Sequence, residues 1–233
     1  IRYLIERRAK VILCTHLGRP AGQVVEKLRL KPIADRLSQL LGTTIHYIPE
    51  VIGNNVKSLV DNLALGEVLL LENLRFHPEE EKNDPEFAQE LSDLAEVYVN
   101  DAFGTAHRAH ASNVGVPKYF NEKCHGFLIN KEKRYLKENI NNKQESISLL
   151  LGGVKISDKI KLIKRFVHIA DYILIGGAMS NNFLIANGFN IGKSLYEKNC
   201  VDFAREIMSD NYKAKIHFPV DVICAEDIEK KKN

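Results

Sequence analysis

The chain has 233 residues, with 33 basic and 30 acidic side chains for a net charge of +3, and is 45% apolar and 27% charged. That is the composition of an ordinary globular protein, long enough for one large or two small domains with buried cores. Lys and Arg are mixed along the chain instead of forming a stripe, and no apolar run reaches the ~18 residues of a membrane span, so neither nucleic acid nor membrane is a partner.

Cys14, Cys124, Cys200 and Cys224 form no C-x-x-C pair and read as reduced thiols of an intracellular, cytoplasmic protein. The chain opens at Ile1 inside an amphipathic helical pattern and stops at the polar run Lys230–Asn233. It reads as an excerpt of a longer protein.

In chain order, short β-branched runs alternate with helical periods. Strands are predicted over Ala9–Thr15, Thr44–Ile48, Glu67–Glu72, Val97–Asn100, Ile147–Leu151, Tyr172–Ile175 and Lys215–Phe218, with Asp221–Cys224 as a weaker candidate. Helices are predicted over Leu30–Leu41, Pro85–Ala95, Asn130–Glu138, Ser157–Val167 and Met179–Ala186. The alternation predicts an α/β protein with parallel sheets covered by helices. A charged helix and the polar stretch Glu138–Ser146 mark a join between two Rossmann-like lobes: residues 1–121, a connection over 122–146, and 147–233.

Ligands of open α/β sheets bind beyond the carboxyl ends of the strands. The first strand is followed by His16-Leu17-Gly18-Arg19-Pro20, the third by Glu72-Asn73-Leu74-Arg75, and the fourth by Asn100-Asp101-Ala102-Phe103-Gly104-Thr105-Ala106-His107-Arg108-Ala109-His110. Each strand end thus offers an arginine. Converging guanidinium groups suit an anion with several oxygens, such as a phosphate plus a carboxylate. A lone arginine at a strand end is more often a surface ion pair, but three at equivalent positions argue for a site. His107-x-x-His110 lacks a third ligand at suitable spacing and does not make a metal centre. His46, His168 and His217 read as core or surface residues, and the acidic loop Glu79-Glu80-Glu81-Lys82 as a solvated surface.

The second half changes character. Leu151-Gly152-Gly153-Val154-Lys155-Ile156-Ser157-Asp158-Lys159 is a strand end, a Gly-Gly turn and a helix start with lysines four apart, and the Tyr172–Ile175 strand also ends in a pair, Gly176-Gly177. Glycines let the backbone approach a ligand and lysines add positive charge, which favours a nucleotide or other phosphate, although the spacing is not that of a P-loop.

The stretches His16–Pro20 (HLGRP), Leu69–Phe87 (LLLENLRFHPEEEKNDPEF), Val97–Ser112 (VYVNDAFGTAHRAHAS), Leu151–Ile160 (LGGVKISDKI) and Ile173–Leu184 (ILIGGAMSNNFL) together resemble the phosphoglycerate kinase family, in the family's order and over essentially the whole chain. The resemblance implies a monomeric, two-lobed glycolytic kinase moving a phosphoryl group between ATP and 3-phosphoglycerate, with Mg2+ carried on the nucleotide. It implies phosphoglycerate binding by His16, Leu17, Gly18, Arg19, Arg75, His107 and Arg108. It implies nucleotide binding by Gly153, Lys155, Lys159, Gly176 and Gly177, with Lys155 also acting on the transferring phosphoryl. The family's opening strand, with its Asp, Asn and Arg, precedes Ile1. Its metal-carrying Asp and acidic ribose contact follow Asn233, so no metal ligand is assigned within the chain and the chain alone is expected to be inactive. A different class stays open beside the enzyme: a non-catalytic phosphoacid-binding module in which the basic cleft persists without turnover.

Overall fold

The computed structural model describes residues 1–141, 146–209, 211–212 and 214–225. The middle of the polar stretch after residue 138 and the terminal Lys230–Asn233 run lie outside the described residues. The chain divides into two compact units, Ile1–Lys133 and Arg134–Asn233.

The first unit runs α1 (Arg2–Glu6), β1 (Val11–Leu13), α2 (Lys31–Leu41), β2 (Ile45–Tyr47), α3 (Asn54–Asn62), β3 (Val68–Leu70), α4 (Pro78–Lys82), α5 (Pro85–Ser92), β4 (Val97–Asn100), β5 (Glu122–His125) and α6 (Phe127–Asn141), the last crossing the division. β3 lies between β1 and β2, all parallel, with Ile12 and His46 both opposite Leu69. Val68, Leu69, Leu70 and Leu71 are all essentially inaccessible to solvent. Val68 and Leu70 join the cluster that holds Leu30 and Ala34 of the α2 segment, whereas Leu69 and Leu71 join the cluster that holds Phe87 and Leu91 of α5. A parallel strand buried on both faces has this continuous apolar character, and each such side chain contributes on the order of 1.5–3 kcal/mol.

Helix ends follow local chemistry. Asp84 Oδ1 accepts the Glu86 and Phe87 amides, each at 3.0 Å, and Pro85 occupies the first turn of α5, an N-cap that needs no tertiary help. α2 ends at Gly42 in the left-handed conformation.

The sheet of this unit is divided. β4 pairs in parallel with β5 rather than with β1, so β1 and β4 each keep one open edge. Both edges face a cavity of about 360 Å³ with largely apolar walls that include Ile12, Leu13, Leu91, Leu94, Val99 and Phe120.

The second unit contains β6 (Ser148–Leu151), α7 (Ile160–Phe166), β7 (Tyr172–Ile175), α8 (Ser180–Ala186), α9 (Val201–Ser209) and β8 (Lys215–His217), with β7 central in a parallel sheet. Leu151, Ile173 and Ile175 face the core with Ile163, Phe183 and Ile207. The opposite face shows Leu150, Tyr172 and Leu174 to solvent, Leu150 at 77%. Helices cover one face of this sheet.

Several elements depart from the sequence-based expectation. α3 and α9 form on apolar spacings of three and four residues, through Val56, Leu59, Val60 and Leu63 and through Phe203, Ala204, Ile207 and Met208. β5 reads Glu-Lys-Cys-His, exposed throughout, and no pattern marks it; it is a strand because β4 offers an edge. Asp221–Cys224 forms no strand, and Val222 and Ile223 are exposed. The acidic run 79–81 lies in a helix whose Glu80 is buried, so it is not simply a solvated surface.

Candidate functional site: a basic strand-end cluster and a pair of glycine turns

The loop after β1 is held by the residues that end β3. Asn73, fully buried, accepts the Leu17 amide at 3.3 Å and donates through Nδ2 to the carbonyls of Leu17 at 2.8 Å and Leu28 at 3.0 Å. Glu72, 2% exposed, takes the amides of Leu30 and Asn73 on one oxygen, and Arg29 at 3.0 Å and the Tyr47 hydroxyl at 2.6 Å on the other. Burial alone would raise the Glu72 carboxyl, but these four donors together pull it below the ordinary carboxylate range. Burial, and then the bond to Glu72, pushes the Tyr47 phenol up to about 12. Gly18 bends the loop at φ +68, a left-handed backbone that strains any residue with a Cβ.

Arg75 is 5% exposed. Its Nη1 donates to the Gly18 carbonyl at 3.0 Å. Glu81 Oε1 stands 3.4 Å from Nε, out of line for a hydrogen bond, and both Nε and Nη2 are buried without a hydrogen-bond partner. A buried guanidinium with open donors is costly unless something accepts from it.

His16 reads the field of this cluster. Its pKa lies below the ordinary 6.5, first through burial and then through the neighbouring Arg75, His110 and Arg108, with Glu81 opposing. The structure therefore brings His16, Arg75 and Arg108 within electrostatic reach of one another, and adds His110, which the strand-end inspection had not singled out as a binding group. Leu17 and Gly18 supply backbone to the same loop. Arg19 and His107 are exposed, and among the described residues neither makes a side-chain ion pair.

The loop carrying His107–His110 is anchored from below by α4. Glu80, 4% exposed, accepts the Ser112 amide at 2.9 Å and its hydroxyl at 2.6 Å, and lies 3.7 Å from His110 Nδ1. The run Glu79–Glu81 thus holds both basic loops, Glu81 at Arg75 and Glu80 at Ser112 and His110. Cys14, reachable by solvent yet crowded by protein, has its thiol pushed up to about 12 by that burial and then by Glu80. It is protonated and no nucleophile.

In the second unit the Gly-Gly turns touch. Met179 donates its amide to the Gly153 carbonyl at 3.0 Å. Gly177 sits at φ +66, where a Cβ would come within 3.1 Å of Gly153 O and 3.2 Å of its N. Gly176 donates its amide to the Leu151 carbonyl at 2.8 Å. Lys155 lies in irregular chain after the first turn, and Lys159 ends a single tight turn, Ser157–Lys159, ahead of α7. The two lysines therefore do not stand on one regular helix. Among the described residues neither is ion-paired. The Ser157 amide, at the head of that turn, is already taken by the Glu197 carboxylate at 2.9 Å. Glu72, Asn73, Glu80 and Glu197 were not picked out from sequence, because what marks them is what they bond to after folding.

A family model for phosphoglycerate kinase matches residues 1–233. The phosphoglycerate kinase of Rippkaea orientalis is 48% identical over 229 residues, 97% of this chain and 57% of that protein. That of Pseudothermotoga lettingae is 47% identical over 231 residues, covering 98% and 58%. Among solved structures, the phosphoglycerate kinase of Pyrococcus horikoshii superposes with a TM-score of 0.79 at 35% identity, over 94% of this chain and 57% of that one. The enzyme from Coxiella burnetii superposes at 0.75 and 34%, over 89% and 52%. The chain spans little more than half the length of these relatives. With the match running from the first residue to the last and the folds superposing, this chain belongs to the phosphoglycerate kinase family.

Proposed function

We propose that the chain carries the phosphoglycerate half-site and part of the nucleotide half-site of a kinase that transfers a phosphoryl group between ATP and 3-phosphoglycerate. The observation that supports this most directly is Arg75, buried with two donors unused, in a cluster whose field depresses His16. Such a cluster fits a ligand with both phosphate and carboxylate oxygens. Arg19, Arg75 and Arg108 supply charge to the phosphoglycerate, His16 and His107 add imidazole groups beside them, and the Leu17-Gly18 backbone shapes its loop. Gly153, Gly176 and Gly177 let a nucleotide lie against backbone, and Lys159 binds its phosphates.

In the forward sense, a carboxylate oxygen of 3-phosphoglycerate attacks the terminal phosphorus of ATP. A C–O–P bond forms as the bond to the ADP oxygen breaks, and no covalent enzyme intermediate is needed. Lys155 neutralises charge on the equatorial oxygens in transit. The nucleotide is used with Mg2+; among the described residues no cluster of three or more His, Cys, Asp or Glu offers to hold a metal ion, so no step is assigned to the ion. The protein acts as a cytoplasmic monomer, as the resemblance implies.

The test is a calorimetric titration of 3-phosphoglycerate into this chain. Binding is expected, and Arg75→Ala weakens it by roughly tenfold or more, the worth of a charge-assisted hydrogen bond. No binding by the unaltered chain, or equal binding by Arg75→Ala, would overturn the assignment.

A further inference from the structure

Beside the glycine turns runs a short strap, Leu195-Tyr196-Glu197, that belongs to no helix or strand. Its backbone is held from α8: Asn181 Nδ2 donates to the Leu195 carbonyl at 2.8 Å, and Asn182 both donates to the Glu197 carbonyl at 2.6 Å and accepts the Glu197 amide at 3.2 Å. Asn182 is fully buried, and this reciprocal pair accounts for its amide. Asn181 and Asn182 sit in the first turn of the helix that follows Gly176-Gly177. With its backbone clamped there, Glu197 reaches the other turn. Its carboxylate accepts the Ser157 amide at 2.9 Å and the Ser157 hydroxyl at 2.7 Å.

We propose that Glu197 is a positioning residue for the Lys155 loop: clamped to α8 by Asn182 and locked onto Ser157, it holds residues 153–157 in register with the second glycine turn. This rests on the reading of that loop as a phosphate-binding element. The lock fixes backbone that the glycines leave loose. Gly152 and Gly153 have the largest conformational freedom in the loop, and apart from the Met179–Gly153 hydrogen bond, the next ties to another segment are those that Glu197 makes at Ile156 and Ser157. Lys155, between those ties, is close enough that its charge helps keep Glu197 ionised. A carboxylate that accepts from an amide and a hydroxyl at once is a stronger anchor than a neutral acceptor.

The first unit contains the same device. Glu80 takes the amide and hydroxyl of Ser112, again two or more residues after the basic side chains of a strand-end loop. A Glu–Ser lock on each basic loop is a common solution to one problem: cationic loops repel themselves and need an anionic partner that does not occupy the ligand's place.

The experiment uses the 233-residue chain with ADP as the probe, comparing the unaltered protein with Glu197→Ala, Glu197→Gln, Ser157→Ala and, as a control off the strap, Asp202→Ala. Amide exchange and ADP affinity are read together. Glu197→Ala is expected to speed exchange of the Ser157 amide by roughly tenfold or more and to weaken ADP by at least about threefold. Glu197→Gln, which keeps an acceptor, recovers part of both losses, and Ser157→Ala, which keeps the amide but not the hydroxyl, falls between. Unchanged exchange at Ser157 in Glu197→Ala would overturn the lock. So would an ADP loss matched by Asp202→Ala. If the unaltered chain fails to bind ADP while Glu197→Ala still frees Ser157, the nucleotide reading falls and the positioning of the loop stands.

Discussion

Arg75 donates to the carbonyl of Gly18 at 3.0 Å, joining the end of β3 to the loop after β1 and leaving the other edge of the guanidinium open. Arg75→Lys keeps the charge but cannot span both tasks, since an ammonium lacks the planar fork. It is expected to lose most of the 3-phosphoglycerate affinity that Arg75→Ala loses, measured by calorimetry. Full retention of affinity in the lysine variant would show that charge alone matters at this position.

His16 gives the cluster a pH dependence. In the free protein its pKa lies below 6.5 because of burial and then the neighbouring guanidinium groups of Arg75 and Arg108, so it is neutral near pH 7. An arriving anion offsets those cations and raises the pKa, so binding takes up a proton and affinity rises as pH falls from about 7.5 to about 6. Titrations in buffers of different ionisation enthalpy measure the uptake, and His16→Gln should abolish its pH dependence in that range.

Glu72 ties stability to pH in the opposite sense. Its folded-state carboxyl lies below the ordinary value of 4.5, so its contribution is fully present above about pH 4.5 and is lost as pH falls through the lower folded value. Glu72→Gln is expected to flatten the acid limb of the unfolding curve. Glu72→Ala should cost about 3 kcal/mol, because it strands the donors of Arg29, Tyr47, Leu30 and Asn73. Chemical denaturation at pH 7 and pH 4 reads both.

Gly177→Ala and Gly188→Ala separate backbone strain from steric contact. Both glycines have positive φ, +66 and +84, but a Cβ on Gly177 meets Gly153 backbone at 3.1 Å whereas one on Gly188 meets nothing within 4 Å. Gly188→Ala is expected to cost about 1 kcal/mol for the left-handed backbone. Gly177→Ala should cost clearly more and disturb ADP binding as well. Equal losses in thermal denaturation would mean that the turns are not in tight contact.

On the proposed reading, Lys155 and Lys159 divide the work on phosphate. Lys159→Ala should weaken ADP roughly tenfold in calorimetry. Lys155→Ala should change ADP affinity much less, because a lysine aimed at a group in transit gains most in the transition state.

Periodicity and turn chemistry are local, and they determined much of this protein without the fold. The apolar runs at 68–70, 97–100, 148–151 and 172–175 and the capped helix at Pro85 needed only neighbours in the chain. So did the glycine turns and the strand-end arginines, and the stretches around them carry the family resemblance. Tertiary structure decided what depends on partners distant in sequence. β5 has no pattern of its own and exists because β4 has an edge to pair. Glu80, in the middle of an acidic run, looks solvated until residue 112 folds over it. Glu197 acquires meaning only when Asn182 and Ser157, 15 and 40 residues away, arrive on either side of it. A carboxylate's role follows from who donates to it, and a chain read in one dimension shows the acceptor without its donors.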